Sequence, residues 1–150
     1  MAKKLSIDIE EETNYFVIGI SSTLKDYRLM FFLNKIDDFD FKRAETFIFN
    51  KKDKKFSYSM YTYIDEFNLQ NFYLLSNKVN SVKLVPDYKH FDYILILEGE
   101  FEDEYVGGLV KKINSVSGVM FASEVNYSSI NKVPNLSLSF EMHLDNILKK

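Results

Sequence analysis

A chain of 150 residues, 46% hydrophobic and 27% charged, has the length and balance of one folded domain, which excludes disorder throughout. A formal net charge of −3 argues against broad nucleic-acid binding, because phosphates are held by a positive field. The lack of cysteine removes disulfides, thiolate metal sites and a thiol nucleophile.

Residues 1–8 lack the apolar core of a signal peptide, and the longest apolar runs fall well short of the roughly 20 residues of a membrane span. A cytoplasmic protein with no membrane association is therefore expected. Fourteen Phe and 10 Tyr with no Trp are unusual. A sheet-rich core would absorb such rings, and any surplus would form a surface patch for a partner. Lys51, Lys52, Lys54 and Lys55 make a basic tip, and the run 98–104 makes an acidic one; both read as solvated turns.

Leu5, Ile7 and Ile9 alternate with polar residues and predict a half-buried strand, with a turn over 10–14. The nearly unbroken apolar run 15–20 predicts a central strand covered on both faces. Ser21, Ser22 and Thr23 offer capping hydroxyls, and Asp26, three residues after Thr23, approximates a capping box for a helix over 24–36. Leu29, Phe32, Leu33 and Ile36 form its inward stripe, widened by Tyr27 and Phe31.

Strands are predicted over 41–50 and 56–64 around the basic tip, then over 69–78, as an antiparallel meander. Pro86 bars a central strand around it, and pairing resumes over 91–97. A second helix is predicted over 102–116, striped by Tyr105, Val106, Leu109, Val110 and Ile113, with Gly118 as a left-handed cap. Gly107 and Gly108 weaken it, and close packing on the sheet is the favoured offset. A last strand covers 119–125. The tail alternates at Leu136, Leu138, Phe140, Met142 and Leu144, which predicts a strand over 136–140 followed by a short helix or frayed end.

This order predicts an α+β fold: an antiparallel sheet with two helices on one face, a ferredoxin-like or ACT-like sandwich with an added β-hairpin.

The run Val85-Pro86-Asp87-Tyr88-Lys89-His90-Phe91-Asp92-Tyr93 resembles the signature of the IPExxxVDY family of Bacteroidetes-type bacteria. Further blocks carry the resemblance: Val17 to Ile20, Leu24 to Leu29 with Leu33-Asn34-Lys35, Leu75 to Lys78, and Leu97 to Glu100. Val85, Asp87 and Phe91 replace the isoleucine, glutamate and valine of the naming motif. The shorter Asp87 keeps the charge but loses reach. The resemblance covers residues 5–138 and implies one domain over 1–138 with a C-terminal extension over 139–150. It implies no activity and no cofactor.

The motif and interaction candidates are Asp26, Tyr27, Arg28, Asn34, Lys35, Asn77, Lys78, Pro86, Asp87, Asp92 and Tyr93. Arg28 is expected to pair with Asp87 or Asp92 and hold the Pro86 loop against the first helix. Asp92 is expected to cap or brace a turn. His90 and His143 are too separated for a metal site unless the tail folds back. No nucleophile elbow or phosphate-binding glycine loop is present. The leading expectation is a non-catalytic protein-interaction or adaptor module with a protein partner, and exposed strand edges allow a homodimer. The alternatives are an ACT-like small-ligand sensor and an enzyme built on Asp26, Arg28, Asp87 and Asp92.

Overall fold

The computed structural model describes residues 15–148, so the strand expected at Leu5, Ile7 and Ile9 lies outside the described residues. The elements in chain order are β1 (Tyr15–Ser22), α1 (Asp26–Ile36), β2 (Lys42–Arg43), β3 (Phe47–Lys51), β4 (Lys54–Tyr58), β5 (Met60–Asp65) and β6 (Gln70–Ser76). After them come β7 (Lys78–Val79), β8 (Val82–Lys83), a 3-10 turn (Pro86–Tyr88) and β9 (Tyr93–Glu98). The chain continues through α2 (Asp103–Asn114), β10 (Val119–Val125), α3 (Ser128–Asn131) and α4 (Leu136–Leu148).

One six-stranded antiparallel sheet runs in the order β10-β1-β9-β6-β5-β2. Its inner four strands have the two interleaved strand-helix-strand units of a ferredoxin-like α+β sandwich, as expected. β5 and β2 extend the β6 edge. That edge ends in two exposed cations, Lys42 and Arg43, while the opposite edge β10 is seven residues long and exposes Met120 and Phe121. The added hairpin β3–β4 turns on Lys52 and Asp53, whose positive φ angles of 50° and 65° suit a two-residue hairpin turn.

Each sheet face buries its own core. On one face Leu29 and Leu33 of α1 and Val106, Leu109 and Ile113 of α2 pack against Ile18, Leu74, Leu95 and Leu97. On the other, Phe47 and Phe49 of the hairpin join Phe140 and Leu144 of α4 over Val17, Tyr73, Ile94 and Ile96. The predicted central strand is thus covered on both sides. Most of the aromatic surplus is absorbed here, with Phe39, Phe41, Tyr63 and Phe72 in mutual ring contact.

The tail differs from the expected strand over 136–140. It is helical, and Leu136, Phe140 and Leu144 are its buried residues, four apart on one helix face. Leu138 and Met142 supplied the misleading alternation but are 60% and 58% exposed. Residue 139, where the extension was expected to begin, lies inside α4, and core residues follow it. The capping box also fails: α1 starts after Lys25 with no side-chain cap, while Ser22 Oγ instead accepts from Leu24 N and donates to the Gly118 carbonyl. Tyr27 and Phe31 do not widen the inward stripe, being 56% and 52% exposed.

Gly118 has φ of +101°, the left-handed conformation expected after the second helix. Close packing does not explain Gly107 and Gly108, because a Cβ at either position meets nothing within 4 Å. Gly107→Ala is therefore expected to raise the unfolding free energy by about 0.5–1 kcal/mol in urea denaturation, from helix propensity alone. A loss of stability would contradict the open space at that face.

Candidate functional site

The site grows from a polar residue in an apolar place. Asn77 follows β6 and is 0% exposed. A buried amide is costly unless its donors and acceptor are met. Its Nδ2 donates to the carbonyls of Tyr88 (3.0 Å) and Phe91 (2.9 Å), and its Oδ1 accepts from Val85 N (2.9 Å). Its main chain donates to the Asp92 carbonyl and accepts from Leu84 N, each at 2.8 Å. One residue thereby closes the whole 85–93 loop against the end of the sheet.

The loop's own residues complete the anchoring. Val85 and Tyr88 are buried, and the Tyr88 hydroxyl donates to the Asn126 carbonyl. Phe91 stacks on Phe121 and fills the space above Gly19, where a Cβ would lie 2.5 Å from its ring. Asp92 accepts from Ser22 N at 2.9 Å, the turn-bracing role expected for it. Tyr93 donates to the Leu24 carbonyl at 2.6 Å. Burial chiefly pushes the Tyr88 and Tyr93 hydroxyls well above the ordinary tyrosine range, and Asp26 and Asp92 add to the effect at Tyr93.

The expected Arg28 pairing is not formed. Arg28 lies over the Phe32 ring, Asp87 pairs with Lys132 at 3.3 Å, and Asp92 is held by β1. The loop is fastened by Asn77 instead of by a charge from α1. Asp26 accepts from Tyr27 N and sits 3.8 Å from Arg43. The four residues of the enzyme alternative are therefore engaged separately. Asn34 clamps the chain beyond α1, accepting from Phe41 N (2.8 Å) and donating to its carbonyl (3.3 Å). Lys35 lies over the exposed Phe31 ring, and Lys78 is exposed in the β7–β8 hairpin.

Beside the loop lies a cavity of about 540 Å³ lined by Phe49, Lys51, Pro86, Asp87, Lys132 and Val133 among others. A second hollow of about 550 Å³ shares Lys51, Lys52 and Pro86 with it and adds Lys54, Phe56 and Lys83. A third, of about 600 Å³, shares Lys54 and Phe56 with the second and adds Lys55. Together they form one groove. Its only lining carboxylate among the described residues is Asp87, which is paired to Lys132.

The groove is tied to the Asn77 network. Lys83 Nζ donates to the Phe91 carbonyl that Asn77 also holds, at 3.3 Å, and Lys51 Nζ donates to the Lys83 carbonyl at 2.5 Å. Burial lowers the pKa of both ammonium groups, and neighbouring Lys52 lowers that of Lys51 further. The composition of the basic tip was legible in the sequence. Its meeting with Pro86, Lys83 and Lys132 was not, because it depends on where α3, α4 and the β3–β4 hairpin come to rest.

At the far end of β9, Glu98 accepts from Tyr15 (3.2 Å), Asn71 (3.2 Å) and Tyr73 (2.5 Å), joining β1, β6 and β9. Burial raises both tyrosines far above their ordinary range, with Glu98 reinforcing it. No cluster of three metal-ligating side chains occurs among the described residues. His90 is exposed, and His143 Nε2 lies 3.0 Å from the Glu45 carbonyl. Among the described residues no helix is long and apolar enough to cross a membrane. Comparison of the chain with protein-family models and with curated proteins gives no match.

Asn77→Ala leaves the buried Val85 N–H without its partner and takes one of two donors from each of the Tyr88 and Phe91 carbonyls. It is expected to cost about 2–3 kcal/mol, from roughly 1–3 kcal/mol for the unpaired buried N–H plus the two weakened carbonyl contacts. Chemical denaturation checks this, and a change below about 1 kcal/mol would show that the loop is held by other means.

Proposed function

We propose that the chain is a non-catalytic protein-interaction module that docks a partner in the lysine-rimmed groove beside the 85–93 loop. One observation carries this reading: Lys51, Lys52, Lys54, Lys55, Lys83 and Lys132 converge on one groove of a chain whose net charge is −3. Like charges gathered on a surface repel one another, and a partner of opposite sign relieves that repulsion while gaining a steered approach.

The apolar walls support docking over simple counter-ion attraction. Phe49, Phe56, Val82, Pro86 and Val133 line the same groove, giving a partner surface to bury between the charges. The candidate carboxylates support the non-catalytic half of the reading, since Asp92 braces the end of β1 and Asp87 is engaged in a surface ion pair with Lys132. The resemblance to the IPExxxVDY family fits the same proposal, with the run that carries it acting as the scaffold that presents the groove. A cytoplasmic setting is part of the proposal as well.

Site-specific photo-crosslinking in the native cell tests it. A benzoylphenylalanine replacing Lys52 or Val133 is expected to give a discrete adduct with a protein partner, and the same group replacing Tyr27 on the outer face of α1 is not. Adducts from position 27 alone, or from none of the three, would contradict groove docking.

A further inference from the structure

Resting on that docking reading, we infer that the groove takes an extended acidic peptide segment whose carboxylates meet the lysines and whose apolar side chains enter between Val133 and Phe56. The shape comes first. Three open hollows linked in series by shared lining residues suit an elongated ligand better than a compact one. The lysines are spread along that track on the β3–β4 hairpin, on β8 and between α3 and α4. A single small anion would engage two or three of them, whereas a chain of carboxylates engages the series.

The chemistry of the lining separates a peptide from a nucleic acid. Base recognition on single strands uses exposed aromatic faces for stacking and benefits from arginine. Phe49 is buried in stacked contact with Phe47, and the half-buried Phe56 lies against Tyr58. Both arginines lie elsewhere: Arg28 on α1 and Arg43 on β2. The rest of the molecule also disfavours a long polyanion. Glu98, Glu100, Glu102, Asp103 and Glu104 lie at or beyond the opposite end of β9, so the charge is polarised along the sheet. A short acidic segment meets the basic end alone.

Two of the lysines fix the register of the track. Lys83 and Lys51 are anchored on main-chain carbonyls, which holds their charges in place before a ligand arrives. Lys52, Lys54 and Lys55 are exposed and adaptable. A preordered pair flanked by mobile cations suits a segment whose central carboxylate is fixed and whose ends vary.

Fluorescence anisotropy with the full chain tests the inference. The probes are a labelled eight-residue Glu/Leu peptide, its Lys/Leu counterpart and a single-stranded RNA of similar length. The acidic peptide is expected to bind, with Kd rising about tenfold between roughly 20 and 300 mM salt as charge is screened. The Lys52→Glu/Lys54→Glu variant alters exposed side chains and is expected to weaken binding at least about tenfold at an unchanged melting temperature. If that variant melts early, Lys55→Glu at the same tip gives the comparison. Tighter RNA binding, equal binding of the Lys/Leu peptide, or indifference to charge reversal would overturn the inference. Failure of the acidic peptide while groove positions still crosslink a protein would overturn this ligand chemistry and leave groove docking standing.

Discussion

A side-chain amide sealed from water must find partners for its donors and its acceptor, and Asn77 finds them all in one loop. Within the loop Tyr88 N and Phe91 N donate to the Val85 and Tyr88 carbonyls, while Val85 N–H turns to the amide. Pro86 interrupts any ladder, and the 3-10 turn after it is only three residues long. The amide replaces the missing strand: it receives one N–H and donates to two carbonyls where a neighbouring backbone would have done so. Main-chain bonds from Asn77 to Asp92 and from Asp92 to Ile20 carry the pairing of β6, β9 and β1 beyond their formal ends. The central strand, the 85–93 loop and the groove therefore share one support.

The same device recurs at the two helix-to-sheet returns. Asn34 holds both polar groups of Phe41 after α1, and Asn114 does so for Ala122 after α2, at 2.8 and 2.9 Å. In each case the chain leaves a helix and needs a defined approach to the next segment. A short amide side chain supplies the donor and acceptor spacing of a peptide group without requiring a further strand. Three asparagines thus fix the geometry that hydrophobic packing alone leaves loose, and the two apolar cores can fill around a sheet whose ends are already set.

The regular elements were legible because their apolar residues repeat. The all-apolar run of β1, the stripe Val106, Leu109 and Ile113, and the basic turn between β3 and β4 all follow from periodicity and turn chemistry. The tail was misread because Leu136, Phe140 and Leu144 satisfy both a spacing of two and a spacing of four. What decided it is the open sheet face left by β1, β6 and β9, which the α4 side chains cover. The sequence marks Asn77, Asp92 and Pro86, but it points to Arg28 as the residue that joins them. A guanidinium partner is the usual inference for a carboxylate near a loop, and no pattern in the sequence signals a buried amide that reaches across 14 residues to the Phe91 carbonyl. The groove was hidden for a related reason, since its lysines come from three separate stretches of chain.

A groove of fixed shape follows from a fixed loop, since Lys83 is bonded to the carbonyl that Asn77 holds and Pro86 forms part of the wall. The proposed docking function thus depends on whether the loop is as rigid as the sheet. Native-state hydrogen exchange read amide by amide gives the most direct test. The account predicts that Leu84, Val85 and Asp92 exchange only with an opening free energy close to that of global unfolding, as core strands do. Exchange of these three at the rate of the exposed Lys52–Asp53 turn would show that the loop opens by itself, and would contradict the role assigned to Asn77.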